Sequence, residues 1–383
     1  MRIAWLGKKS PFCGNVSYGL AVTEALKERG HGISFIHFDT PERFDRAEPD
    51  QESSGNLEPE VALPYLMKSQ MYTIPSPRAS RELRESLERF QPDLVHASLT
   101  LSPLDFRLPE LCQQLGVPLV ATFHPPFDAG LRNITAGGQQ LTYQLYASSL
   151  AKFDRVVVFS ELQAELLIRL GVAKSTLAVI PNGVDPNIWR PGASQLSERF
   201  SGKRVFLYMG RLATEKNVEA LLRAWKLVEL PGCLLVVVGD GPMRQQLQAS
   251  HSSNNVIWWG YEADQEIRLA LLQVAEVFML PSLVEGLSLA LLEAMASGTA
   301  CVATDAGADG EVLEGGAGIV ISTQGVTTQL RTLLPVLREQ PILSKELGRR
   351  ARERVLERYT LQANIDALEQ LYCNLIPKMP LAA

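Results

Sequence analysis

The sequence predicts an α/β protein made of two Rossmann-like halves, and three observations predict it. Short apolar runs alternate with amphipathic stretches along the whole chain. The runs are continuous rather than alternating, as strands covered on both faces of a parallel sheet are. The alternation is interrupted at "PNGVDPNIWRPG" (181–192), a stretch with three prolines and two glycines, and then restarts. That composition marks a linker. At 383 residues the chain is long for one core, so two domains are expected. We place them at 1–184 and 185–360, with a terminal helix and tail at 361–383.

The elements follow in order. "RIAWLG" reads as the first strand, then a Gly-containing loop, then a helix "SYGLAVTEALKERG" that Gly30 closes. "HGISFIHF", "DLVHAS", "PLVATFH", "RVVVFS" and "LAVIP" continue as strands. Residues 40–60 are acidic and contain prolines, the composition of a mobile loop. After the linker come "RVFLYMG", "CLLVVVGDG", "NVIWWG", "EVFMLPS" and "ACVATD", with helices between them. "LQANIDALEQLYCNLI" carries apolar residues at helical spacing and is expected to pack as a terminal helix. Two such domains form a cleft, where ligands meet the C-terminal ends of the strands.

Composition excludes several classes. A net charge of −5 provides no global basic field for nucleic acid. The five cysteines form no CxxC pair, which fits reduced thiols in the cytoplasm better than a disulfide frame or a zinc site. "CLLVVVG" and the other apolar runs are far shorter than the ~20 residues that span a bilayer, and the opening residues lack the apolar core of an export signal. Contact with a membrane face stays open; crossing is not expected.

Chemistry points to strand-to-helix loops. In "YMGRLATEKNVEALLRAW" a strand ends at Gly210 and a helix begins near Asn217, so Arg211 and Lys216 lie between them. Two cations beside a helix N-terminus suit a diphosphate; an ordinary solvated loop is the alternative. In "VFMLPSLVEGLSLALLEAMASG" Ser288 reads as an N-cap and Gly298 as the stop. Glu285 then precedes the helix and Glu293 lies in its second turn. Gly286 lets backbone amides approach a phosphate, and the carboxylates could accept from sugar hydroxyls. The alternative is an ion-paired Glu293 and an exposed Glu285.

Glu285 and Glu293, with seven residues between them, resemble the double-glutamate motif of the family-4 retaining glycosyltransferases, which have the GT-B fold. "VIPNGVD", "GRLATEKNVEALLRA", "VVVGDGP" and "PSLVEGLSLALLEAMASGTACVATDAGADGEVL" extend the resemblance through the C-terminal half in order. It implies that Arg211 and Lys216 hold the donor diphosphate, that Glu293 binds ribose hydroxyls and that Glu285 holds the transferred sugar. The amides of Gly286, Leu287 and Ser288 would contact phosphate or sugar. Gly239, Asp240 and Tyr261 would line the nucleotide pocket, and "VATDAGADGEV" would close the donor site from below.

In the N-terminal half the resemblance gives Gly14 a place near the diphosphate, although the loop lacks the family's usual paired glycines. It gives His124 a place near the donor sugar, holding hydroxyls or supporting the transition state. It implies a front-face route in which the leaving phosphate deprotonates the acceptor. No DxD triplet occurs, so no metal or other cofactor is expected.

The acceptor is less constrained. Residues 65–90 mix apolar side chains with Lys68, Arg78, Arg81, Arg84 and Arg89, a surface that could rest peripherally on an anionic membrane. Alternatively, Leu83, Leu87 and Phe90 are the core face of a helix whose arginines are solvated. The opening "MRIAWLGKKSPFCGNVSYG" is similar to cyanobacterial glycolipid glycosyltransferases of the digalactosyldiacylglycerol-forming kind. That implies UDP-galactose as donor, with UDP-glucose its rival, and monogalactosyldiacylglycerol as acceptor. A soluble sugar, sugar phosphate or polysaccharide is the alternative acceptor. A sugar-nucleotide epimerase is the alternative outside the class, and the double glutamate with Arg211 and Lys216 argues for transfer.

Overall fold

The computed structural model describes residues 1–10, 14–39, 60–69, 72–127 and 134–376. The loop expected across 40–60 therefore lies, apart from Glu60, outside the described residues. The chain forms two compact units. The first comprises Met1–His124, Thr142–Ile180 and Ile365–Ala383; the second comprises Pro125–Leu141 and Pro181–Asn364. The units divide at 180/181, where the sequence reading put the boundary at 184/185. Most of the terminal helix Leu361–Leu375 belongs to the first unit.

The first unit holds β1 (Arg2–Gly7), β2 (Gly32–Phe38), β3 (Val61–Leu63), β4 (Tyr65–Lys68), β5 (Thr73–Pro75), β6 (Leu94–Ser98), β7 (Leu119–Thr122), β8 (Arg155–Val158) and β9 (Leu177–Val179). Seven of these form one parallel sheet in the order β3-β2-β1-β6-β7-β8-β9. Trp5, Val95 and Val157 are fully or almost fully buried, which is why these strands read as unbroken apolar runs. His96 is buried among them, between Tyr372 Oη at 2.6 Å and Thr122 Oγ1 at 2.7 Å and stacked on Trp5. The terminal helix is thus joined to the sheet by a satisfied polar network. Two carboxylate contacts add to it, Glu369 pairing with Arg29 and with His31.

Of the two readings of residues 65–90, the helix with a buried Leu83, Leu87 and Phe90 face is the one found, and the apolar residues before it belong to a separate element. Ala79–Phe90 is a helix with Leu83, Leu87 and Phe90 buried, and β4 and β5 form a separate antiparallel ribbon.

The second unit holds β10 (Arg204–Met209), β11 (Cys233–Val238), β12 (Val256–Gly260), β13 (Ala275–Leu280), β14 (Ala300–Thr304) and β15 (Ile319–Ile321). They form a parallel sheet in the order β12-β11-β10-β13-β14-β15. Strand order reverses between β10 and β13. The loops leaving those two strands therefore diverge to opposite faces and leave a crevice at their C-terminal ends, the place where open α/β sheets bind ligands.

Candidate donor site in the second unit and histidine site in the first

The loop after β10 is held by its neighbour. Tyr208 donates its hydroxyl to the Arg211 carbonyl at 2.8 Å, and the Leu212 amide donates to the Asp240 carbonyl at 2.9 Å. Gly239 has φ +135°, and a Cβ there would lie 1.9 Å from the Gly210 carbonyl oxygen. Only glycine lets the loop after β11 press against the loop after β10 in this way. A 3-10 turn, Thr214–Lys216, then leads through Asn217 into the helix Val218–Leu227.

Two bonds stitch this loop to the one leaving β13. The Leu283 amide donates to the Glu215 carbonyl at 2.8 Å, and Asn217 Nδ2 donates to the Pro281 carbonyl at 3.2 Å. As a result Lys216 Nζ reaches Glu285 Oε1 at 2.5 Å, and Ser282 Oγ donates to the same oxygen at 2.7 Å. Glu285 is buried, only 7% exposed. Arg211 pairs with Glu215 in the same loop.

The Glu285 backbone is equally constrained. Its carbonyl accepts from the Phe127 amide at 2.9 Å, and the Gly286 carbonyl accepts from the Ala308 amide at 2.8 Å. Gly307, at φ +57°, brings the loop after β14 so close that a Cβ would lie 2.1 Å from the Glu285 carbonyl oxygen. Gly307→Ala is therefore expected to displace Glu285. It should cost at least about 1 kcal/mol of stability and most of the activity; a thermal melt with steady-state rates checks both.

Ser288 caps the helix Leu289–Ala296, its hydroxyl accepting from the Leu291 amide. Of the three amides expected to face phosphate or sugar, that of Ser288 donates to Asp309 Oδ1 at 2.9 Å in this structure. Asp309 is buried, and burial followed by the nearby Glu285 charge holds its carboxyl well above the usual carboxylate range.

Glu293 differs from Glu285. It is 9% exposed, and its basic neighbour Arg268 stands 3.8 Å away, over the face of Trp189. Burial pushes the Glu293 carboxyl up to about 7, with Arg268 only partly offsetting it. A buried carboxylate without a close partner gains most from a ligand that donates hydrogen bonds.

Gly239 and Asp240 lie in the loop pressed on Arg211, and Asp240 is exposed, paired with Arg244 at 3.3 Å. Asp240 also lines an open hollow of about 540 Å³ with Gly241, Pro242, Arg244, Gln245 and Gln248. Tyr261 follows β12 and is 57% exposed. Arg211, Lys216, Glu285, Gly286, Leu287, Ser288, Gly239 and Asp240 are thus joined through bonded loops, whereas no described side-chain bond links Tyr261 or Glu293 to them.

In the first unit, Gly14 opens the helix Gly14–Glu28 rather than lying in a loop, and a Cβ there would meet nothing within 4 Å. Its surroundings in the structure do not require glycine. His124 follows β7, with its Nε2 2.7 Å from Ser98 Oγ. Ser98 donates its one hydroxyl hydrogen to Asn15 Oδ1 at 2.8 Å, and Asn15 Nδ2 is committed to the Leu99 carbonyl. His124 Nε2 must then be the donor to Ser98, which leaves Nδ1 as the acceptor. Burial, then the charge of Lys8, pushes the imidazole down to about 3, so His124 is neutral at physiological pH. A neutral ring can accept from a hydroxyl but supplies no positive charge.

Sequence reading missed Ser282, Asp309, Arg268, Ser98 and Asn15. Asn15, in the first turn of the helix after β1, and Ser98, at the end of β6, had a usable signal: both flank the reversal of strand order in their sheet.

Two family profiles match the chain. The profile described as glycosyl transferases group 1 covers residues 193–354, and that of glycosyltransferase family 4 covers residues 14–188. The chain is 30% identical to a GDP-mannose-dependent alpha-mannosyltransferase of Mycobacterium tuberculosis, over 75% of this chain and 74% of that protein. It is 28% identical to the alpha-monoglucosyldiacylglycerol synthase of Streptococcus pneumoniae, over 57% of this chain and 53% of that one. Its fold matches the crystal structure of Anabaena HepE in complex with UDP-glucose, with a TM-score of 0.77, 18% identity, and coverage of 97% of this chain and 100% of that one.

Proposed function

The chain belongs to the family-4 glycosyltransferases of GT-B fold, and on that premise we propose that it moves a hexose from UDP-galactose or UDP-glucose to a hydroxyl of a membrane glycolipid such as monogalactosyldiacylglycerol. Transfer proceeds with retention of the anomeric configuration and without a metal. The observation that carries the reading is the pair of loops at the strand-order reversal of the second sheet, which holds Lys216 on Glu285 and Arg211 beside them. A diphosphate arriving there exchanges the intraprotein partners of Arg211 and Lys216 for its own oxygens. As the sugar–phosphate bond breaks, those cations meet the charge that develops on the leaving group. Glu285, released by Lys216, accepts from the sugar hydroxyls. Glu293, buried and poorly paired, takes the ribose.

The donor assignment is supported by the UDP-glucose bound to the Anabaena protein of the same fold. The lipid acceptor is supported by the name of the streptococcal relative, a diacylglycerol glycoside synthase. In the retaining reading the departing phosphate takes the proton of the attacking hydroxyl on the same face of the sugar. His124, neutral and fixed through Ser98 and Asn15, accepts from a donor-sugar hydroxyl.

The test is a screen of nucleotide sugars against glycolipid and soluble sugar acceptors, read by mass spectrometry in excess EDTA. UDP release that requires a glycolipid, with a hexosylated lipid product at full rate in EDTA, is the expected result. Transfer to a soluble sugar alone would reject the lipid acceptor. Activity restored only by Mg²⁺ or Mn²⁺ would reject the metal-free reading, and turnover of the nucleotide sugar without any acceptor would point to an epimerase.

A further inference from the structure

Building on the lipid-acceptor reading, we propose that the β4–β5 ribbon of the first unit is the element that seats this enzyme on an anionic bilayer. Among the described residues the ribbon pairs only with itself, outside the seven-stranded sheet. A two-stranded ribbon of this length is marginal by itself, and its base is tied down. Lys68 Nζ donates to the Phe38 carbonyl at 2.5 Å and to Ser10 Oγ at 2.9 Å. The Ser76 amide donates to the Pro64 carbonyl at 3.0 Å, and Thr73 is fully buried.

The rest of the ribbon is turned to solvent with the wrong chemistry for it. Leu66 is 69% exposed, Met67 49%, Tyr72 44% and Ile74 37%. Phe106, 44% exposed, ends the turn Pro103–Phe106 that packs on β5. Single exposed apolar residues are ordinary, but a cluster like this marks an interaction surface.

Charge selects the occupant. Residues 61–81 contain no Asp or Glu and carry Lys68, Arg78 and Arg81. Arg78 and Arg107 are exposed, and neither forms an ion pair among the described residues; the Arg107 guanidinium donates to Ser80 Oγ. Aliphatic and aromatic side chains flanked by unpaired arginines match the acyl boundary and anionic headgroups of a bilayer. An acceptor that lives in the bilayer requires the enzyme to dwell there.

The test is flotation of the full chain with phosphatidylcholine vesicles, with and without phosphatidylglycerol. Three forms are compared: the parent, Leu66→Ser/Met67→Ser/Ile74→Ser, and Arg78→Gln/Arg107→Gln. The parent is expected to float with the anionic vesicles. The triple variant should lose about tenfold or more of that partition. The arginine variant should lose about fivefold per arginine at low salt, a difference that high salt removes. UDP affinity and melting temperature should stay at the parent value in both.

A parent that does not float, or a triple variant that floats as the parent does, overturns the proposal. So does light scattering that shows a dimer of the parent abolished by the triple variant without vesicle binding, because the occupant is then a second copy. Transfer to monogalactosyldiacylglycerol in detergent micelles, measured alongside, isolates the acceptor reading. Its failure there, with transfer to a soluble sugar intact, rejects that reading, while the ribbon's role stands or falls on flotation alone.

Discussion

Lys216→Ala should lower kcat/KM by about a thousandfold, more than Arg211→Ala, although both would remove one cation from the proposed diphosphate site. Each loses a charge-assisted contact of about 1.5–3 kcal/mol, or roughly ten- to a hundredfold. Lys216 does a second thing. It pairs at 2.5 Å with Glu285, whose side chain is only 9% exposed, and without it that buried carboxylate keeps, among the described residues, Ser282 as its bonded partner. Removing one member of a buried pair costs more than the pair itself contributes, because the other charge is left desolvated. Arg211 pairs with Glu215, and both side chains are about a third exposed, so water replaces that contact at little cost. Lys216→Ala should therefore also lower the melting temperature by several degrees, whereas Arg211→Ala should leave it unchanged. Equal kinetics and equal melts for the two variants would contradict the geometry.

Glu293→Gln should stabilise the unliganded protein at pH 8 while weakening its hold on donor. Burial raises the folded-state value from 4.5 to about 7. Between those values the folded protein binds the extra proton and the unfolded chain does not, so stability falls as pH rises through that window. The penalty is complete above about pH 7 and absent below about 4.5, and two to three units correspond to about 3 kcal/mol. Glutamine keeps the shape without the charge, so the variant should gain on the order of 2 kcal/mol at pH 8 and nothing at pH 4. Unfolding in urea at both pH values measures it; equal stability of variant and parent at pH 8 would show that Glu293 is not held in the electrostatic state assigned to it. Glu285→Gln should behave differently. A contact to the transferred sugar strengthens as positive charge gathers on the ring, so its loss should appear mainly in kcat.

The sheets were legible because strands buried on both faces write long apolar runs, as in "CLLVVVG". The three-residue strands β3 and β15 are too short to show a period. The ribbon was missed because Leu66, Met67, Tyr72 and Ile74 face solvent, against the rule that pattern reading relies on. Arg211, Lys216, Glu285 and Glu293 could be found from their places in strand-to-helix segments and from the family motif. Their partners could not. Arg268 comes from the helix Gln265–Val274 and Asp309 from the start of the short helix Asp309–Val312, and only the folded chain brings them near. The same holds for Glu293, since spacing put it on a helix but burial set its proton affinity. Helix ends were less legible than strands: the helix expected from Ser17 begins at Gly14.

Calorimetric titration of UDP into Glu285→Gln and Glu293→Gln tests the central claim, that one carboxylate serves the sugar and the other the nucleotide. UDP carries no hexose, so Glu285→Gln is expected to bind it nearly as the parent does, and Glu293→Gln about tenfold or more weakly, as the loss of a hydrogen bond to a charged group predicts. Loss of UDP binding in Glu285→Gln with retention in Glu293→Gln would contradict the account and exchange the two roles.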